Sequence, residues 1–351
     1  MRSNKKIALW LLSGCFLIFA MVIIGGITRL TGSGLSITEW KPVTGTLPPM
    51  SESSWISAFE KYKQSPQFKI VNSHFSLAQF KSIFWWEYIH RLLGRLIGFV
   101  FLIPFFYFLF SKQLNRVLLK KLFLLLGLGA LQGFLGWFMV KSGLVNLPHV
   151  SHYRLALHLI VAFLIFGYAF HLVLELLQPI QTAVNRNTRA ARNTTSVILI
   201  LALVQIIYGA LVAGLHGGKI YTTFPKMGDR WLASEILALH PLRTNFTENP
   251  VTVQFIHRTI AWAIGILIVI LWTTTMKNKR LSQQQTNGIN ILFILFLFQF
   301  LLGIFTLLSA AAIPLAVLHQ AGAFFLFAGI LYLHHQFRET FVVEANEKNI
   351  A

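Results

Sequence analysis

The stretch Phe84–Phe110, FWWEYIHRLLGRLIGFVFLIPFFYFLF, is apolar for its whole length except near its start. There Glu87, His90 and Arg91 stand within about one helical turn. A segment built for lipid carries such groups only at a cost, and ionisable side chains at membrane depth mark a site more often than they serve packing. The chain repeats the arrangement. From residue 254 it reads QFIHRTIAWAIGILIVILW, with the same Ile-His-Arg displaced by 167 residues.

Around that segment the composition is that of a membrane protein. Of the 351 residues 55% are hydrophobic and 12% charged. Eight apolar segments reach the length of about 20 residues that spans a bilayer. They lie near 7–27, 87–110, 118–140, 153–177, 195–215, 252–275, 288–309 and 313–336, the last two parted by a short link before Pro314. None alternates as a barrel strand does, and in lipid only helices or closed barrels satisfy the backbone. The expected fold is therefore all-α, with eight transmembrane helices.

The net charge of +19 excludes little by itself, but its distribution does. Basic residues gather in alternate loops, around Arg2, Lys5 and Lys6, then Lys112, Arg116, Lys120 and Lys121, then Arg186, Arg189 and Arg192, then Lys277, Lys279 and Arg280. That positive-inside pattern places these loops and both termini in the cytoplasm, and the long loops 28–86 and 216–251 outside. It is a topology signal, and nucleic-acid binding is not expected. The basic start before the first apolar run resembles a signal peptide, but no small-residue cleavage site follows, so an uncleaved first span is expected. A bacterial inner membrane fits this pattern. The single cysteine, Cys15, lies inside that span, so no intramolecular disulfide braces the outer loops.

Aligned at the same displacement, Ile89, His90, Arg91 and Gly98 pair with Ile256, His257, Arg258 and Gly265, and Gln132 and Gly136 pair with Gln299 and Gly303. The stretches YRLALHLIVAF and LAVLHQAGAFF then match after a six-residue deletion, pairing His158 with His319. The first helices also end alike, in GGITRLTGSG and GALVAGLHGG. A period of this length implies two copies of a four-helix unit, parallel repeats about an axis near the membrane normal. The boundaries expected are 1–180 and 181–351, two pseudo-symmetric four-helix bundles.

Each unit thus carries one histidine near the outer end of its second span and one near that of its fourth. A lone histidine there is ordinarily a hydrogen-bonded packing residue. Four at matched depth, two per bundle, suit the axial ligands of haem iron, one from each of two facing helices. Small residues one turn beyond the second-span histidines, Gly94 and Ala261, and then Gly98 and Gly265, would clear a face for a flat macrocycle. Arg91 and Arg258 could pair with propionates through a fixed guanidinium fork, or simply snorkel to the interface. Two imidazoles per bundle leave zinc short of ligands. His171, His334 and His335 fall at cytoplasmic helix ends, and His74, His149, His152, His216 and His240 lie in or beside outer loops; none is assigned a role.

One polar position breaks the repeat. Glu87 is matched by Gln254, so only the first bundle offers a carboxylate, on the face of its helix that carries His90. Two equivalent electron carriers would not need that difference. A carboxyl group there could move protons or stabilise positive charge in an oxidation; its alternative is a capping carboxylate at a helix start.

These residues resemble the haem A synthases, membrane enzymes that convert haem O to haem A for cytochrome c oxidase. The likeness runs almost end to end, through GGITRLTGSGLSITEWKPVTGTLPP after the first span, EYIHR, HLIVA, FIHR and LHQAGA. The first loop, with WISAFEKYKQSPQFKIVN, is similar to the subgroup shared by proteobacteria and mitochondria; the outer-loop cysteine pairs of another bacterial subgroup are missing. The resemblance implies oxidation of a porphyrin methyl to a formyl group by successive hydroxylations at one carbon. It implies that His90 and His158 ligate the substrate haem O and that His257 and His319 ligate a permanent haem b, a division that agrees with the catalytic role read for Glu87 from its mismatch with Gln254. Haem O synthase and cytochrome c oxidase assembly factors are the partners it points to, with the electron donor and homo-oligomerisation left open. The rival reading is a di-haem b-type cytochrome that relays electrons from quinol without modifying either haem, and a more distant one is a haem transporter. The outer loop, with Trp40, Leu47, Trp55 and Phe59 among its turn formers, is expected to be an ordered lid over the first site.

Overall fold

A computed structural model describes residues 2–39, 44–144, 148–178, 186–277 and 281–337. Trp40, the basic residues Lys279 and Arg280, and the expected domain boundary at 180/181 lie outside those residues. The described chain is helical, with eight helices long and apolar enough to cross a membrane. They are α1 (Arg2–Leu30), α4 (Leu77–Phe110), α5 (Arg116–Gly143), α6 (His152–Leu177), α7 (Arg186–Gly214), α8 (Pro250–Met276), α9 (Gln283–Leu308) and α10 (Ile313–Gln336). Two short helices, α2 (Glu52–Lys63) and α3 (Pro66–Ile70), occupy the first long loop.

Local chemistry sets the ends. Ser76 and Gln79 form a capping box at the start of α4, and Ser282 and Gln285 another at α9. Asn115 caps α5 through the Leu118 amide, and Asn249 caps α8 just before Pro250. The second span therefore begins ten residues earlier than the hydropathy alone suggests, at Leu77, and the first loop shrinks from 28–86 to the stretch between Leu30 and Leu77. The extra turns are stabilised by Phe80, Ile83 and Phe84, which bury against Trp55, Phe59 and Tyr62 of α2.

Helices α1, α6, α7 and α10 meet in the middle. Phe163 and Phe166 of α6 interleave there with Phe324 and Phe327 of α10, with ring centroids 4.1 Å apart for Phe166 and Phe324. Phe19 of α1 joins the same stack. Helices α4 and α5 flank α1 and α6, while α8 and α9 flank α7 and α10. The outer faces stay apolar and bare, as at Phe99 and Ile103 of α4, which is tolerable only where lipid covers them.

The first loop is folded. Tyr62 is wholly buried; its phenol donates to Gln67 Oε1 at 3.0 Å and accepts from Asn72 at 2.8 Å. Burial holds that phenol above its ordinary pKa, so it serves as a neutral donor. Gln67 in turn donates to the carbonyl of Gly32, whose φ of +67° requires glycine. Trp55 and Phe59 belong to this small core as expected, whereas Leu47 is 76% exposed and does not. Leu47 sits on the short 3-10 turn around Thr44–Thr46, outside the reach of the α2 aromatics.

Candidate functional site

The end of the bundle that carries the two long loops also carries His90, His158, His257 and His319. His90 and His158 come from α4 and α6, and His257 and His319 from α8 and α10; within each pair the rings lie within electrostatic range of one another. Each imidazole rests on a glycine of a neighbouring helix. A methyl group at Gly25 of α1 would stand 3.2 Å from His90 Nε2, and one at Gly136 of α5 would stand 3.1 Å from His158 Cε1. In the second half, Gly209 of α7 would bring a methyl to 3.3 Å from His257 Cε1, and Gly303 of α9 to 2.9 Å from His319 Cε1. Four close approaches of helix backbone to an imidazole face orient all four rings.

Glutamines finish the orientation. Gln132 and Gln299 each donate to the backbone carbonyl of the facing histidine, His158 and His319, at 3.0 Å in both cases. Gln299 also reaches His319 Nδ1 at 3.1 Å. Gln205 of α7 lies 3.2 Å from His257 Nε2. The Nδ1 atoms of His158 and His257 are buried with no hydrogen-bond partner.

The residues outside the histidines divide between supporting roles and open space. Glu87 is 2% exposed, in the third turn of α4, so it does not cap a helix start. Its Oε2 accepts from the Ser36 hydroxyl at 2.7 Å and the Ile37 amide at 2.8 Å, and its Oε1 accepts from Arg91 Nη2 at 2.7 Å and Nε at 3.0 Å. Arg91 then donates to the carbonyls of Ile37 and Glu39. The second half is built the same way with one change. Arg258 donates to the carbonyls of Tyr221, Thr223 and Lys226, and Gln254 donates to those of Gly217 and Tyr221. Both arginines are thus engaged by loop carbonyls, Arg91 by Glu87 as well, and each clamps the loop that follows α1 or α7.

The small residues beyond the second-span histidines differ in what surrounds them. Gly98 opens on empty space, and a methyl at Gly94 would stand 3.3 Å from Met21 Cε of α1. Gly265 differs from expectation: the Phe296 ring of α9 lies across it, because α8 and α9 pack closely there. Ala261 is half-buried. A cavity of about 210 Å³ lies beside Arg91, lined by Ile37, Trp137 and Lys141 among others.

Sequence reasoning missed Gly25, Gly209, Gln205 and Met21 as neighbours of the site. The signal was present in the matching ends GGITRLTGSG and GALVAGLHGG, which align Gly25 with Gly209 and, four residues earlier, Met21 with Gln205. Among the described residues no three His, Cys, Asp or Glu side chains converge as a metal site. A pair of imidazoles suffices only for iron that already has an equatorial ring of ligands. The unpartnered Nδ1 atoms and glycine-backed rings fit such a group.

Comparison with known proteins agrees. The chain is 49% identical over 341 residues to the heme A synthase of Flavobacterium psychrophilum, covering 96% of this chain and 99% of that one. The heme A synthases of Nitrosospira multiformis and Wolbachia pipientis are 48% and 44% identical, over 95% and 93% of this chain and 94% and 91% of theirs. Residues 8–331 match the model of the COX15-CtaA family, described as cytochrome oxidase assembly protein, and the chain belongs to that family.

Proposed function

We propose that this protein is a multi-pass inner-membrane enzyme that oxidises haem O to haem A. What carries the proposal is one difference between two otherwise matched sites: a buried carboxylate, Glu87, beside one histidine pair, and an amide, Gln254, beside the other. His90 and His158 would hold the substrate haem in residues 1–180, and His257 and His319 a permanent haem b in residues 181–351, the two bundles being pseudo-symmetric. Both termini would face the cytoplasm and both histidine pairs the opposite side. When bound, haem iron would supply the redox chemistry for two successive hydroxylations of one methyl carbon at the expense of an external oxidant, giving a geminal diol that loses water to the formyl group.

The protein supplies position and charge. The glycine-backed imidazoles of His90 and His158, and of His257 and His319, would supply nitrogen ligands to the iron of a haem in each half. His158 and His257 keep a buried N–H or lone pair at Nδ1 without a partner, so their tautomer is free to place the other nitrogen's lone pair on a metal. In the second half the Gln205 amide must yield for His257 Nε2 to ligate. Glu87 stands one turn outward of His90 with both oxygens engaged, so the carboxylate and its Arg91 partner would be held at a fixed place beside a bound haem, and any proton transfer by it would require Ser36 and Ile37 to move away. The folded loop Glu52–Ile70 packs on the outer turns of α4 and would serve as the lid at this end. Arg91 and Arg258 fix the loop edges, and Gly94 and Ala261 would let a flat group approach one turn beyond the histidines once the Met21 side chain against Gly94 gives way. Haem O synthase and oxidase assembly factors are the partners this function calls for.

Haem extraction from the purified protein tests the reading. It should yield haem b together with haem O or haem A; haem b alone would favour the electron-relaying cytochrome.

A further inference from the structure

Besides the central aromatic contact of α6 with α10, the two halves touch through two comparable seams, α6 against α7 and α10 against α1. At the first, Leu159, the residue after His158, packs in an apolar cluster with Ala210 and Leu211 of α7. At the second, the corresponding residue is Gln320, the residue after His319, and the helix it meets offers Gly26 where α7 has Ala210. Gln320 Nε2 donates to the carbonyl of Val22 at 2.7 Å. Its amide lies flat on Gly26, where a methyl group would collide with it and stand 3.0 Å from its Cδ. A side-chain amide reaching a helix carbonyl already used within the helix needs this kind of bare backbone.

The neighbour of Gly26 is Gly25, which backs the His90 ring. Successive residues point about 100° apart on a helix. Helix α1 therefore turns one face to His90 and the next to Gln320, and a single rigid rod joins the residue beside His319 to the ring of His90. The equivalent route at the other seam, from Leu159 through Ala210 to Gly209 and the His257 ring, is made by apolar contact without a hydrogen bond among the described residues. An iron at His319 would fix the rotation of α10, and with it the Gln320 amide and the position of α1.

We propose that Gln320 is a positioning residue that makes the first haem site depend on occupancy of the second. This rests on the ligand assignment above. The coupling is reciprocal: whatever binding in the second half does for the first, binding in the first does for the second.

The test uses the full-length protein in detergent, produced without haem supply and titrated with haemin as the probe, each site read by its low-spin absorption and paramagnetic resonance signals. Emptying the second site with His257→Ala should weaken first-site haemin binding about fivefold or more in the natural background. In a Gln320→Leu background, which installs the residue of the apolar seam, the same change should leave first-site affinity unaltered. Gly26→Ala with Gln320→Leu reproduces both residues of that seam, relieves any gap left by the single change, and should behave like it. An equal loss with and without Gln320, or no loss in either background, would overturn the proposal. Failure of the wild-type protein to show two low-spin haems would instead overturn the ligand assignment beneath it.

Discussion

Glu87→Gln separates charge from shape at the one position where the two sites differ. The carboxylate is buried, and all four hydrogen bonds it accepts come from donors: Ser36, Ile37 and two nitrogens of Arg91. A glutamine keeps one acceptor oxygen, but its NH₂ group must face donors, and Arg91, itself only 14% exposed, loses its counter-ion. Breaking a buried ion pair from one side costs on the order of 3 kcal/mol. Part returns if the amide turns its oxygen to Arg91 and the loop accepts a bond, as Gln254 manages with Gly217 and Tyr221. A net loss of about 2 kcal/mol is expected at the loop start, roughly a thirtyfold increase in its opening, readable as faster amide exchange at Ser36–Ile37. Haem should still bind in both halves, while haem A formation falls by at least tenfold and haem O or a hydroxylated intermediate accumulates. The reverse change, Gln254→Glu, should leave haem A yield nearly intact. A folded Glu87→Gln protein making haem A at the wild-type level would refute the reasoning. So would loss of haem from the second half, which would reduce Glu87 to a general fold anchor.

Replacing His257 or His319 with alanine should deplete the stably bound haem, read as loss of the second half's low-spin signal; retention of both low-spin signals in both variants would sink the ligand assignment. Gly303→Ala should displace the His319 ring, since the new methyl stands 2.9 Å from Cε1, and Gly136→Ala should do the same to His158 from 3.1 Å; titrated haemin should bind more weakly in each, most strongly at the corresponding half. Phe80→Ala removes the ring that Phe59 and Tyr62 stack on and should cost about 3 kcal/mol locally, accelerating amide exchange across Glu52–Lys63 by about two orders of magnitude while the membrane helices stay protected. Unchanged exchange there would show that the loop core does not depend on that ring.

The eight spans were legible because each is long, apolar and bounded by caps or charge, and the repeat was legible because His-Arg and Gln-x-x-x-Gly return in one register. The start of α4 was not, since Leu77–Trp86 is helical through contacts with α2 that lie 20 to 30 residues back in the chain. Glu87 was found by its mismatch with Gln254, yet the sequence could not show that a loop more than 45 residues away supplies its partners. Gly265 was read as open because a glycine says only that space is free of its own side chain; Phe296 fills it from another helix. Arg91 and Arg258 were read as propionate partners or as side chains snorkelling to the interface; carbonyl groups of irregular loops leave no residue-type signature, and it is those that engage both side chains.

The central claim is that this protein makes haem A from haem O, and one measurement tests it most directly. The full chain is expressed in a bacterial host that produces haem O and no haem A, and the haems of its membranes are extracted and resolved by mass. The account predicts haem A in cells carrying the wild-type chain and none in cells carrying His90→Ala. Membranes that hold the folded protein with bound haem b and unconverted haem O, and no haem A, would contradict it.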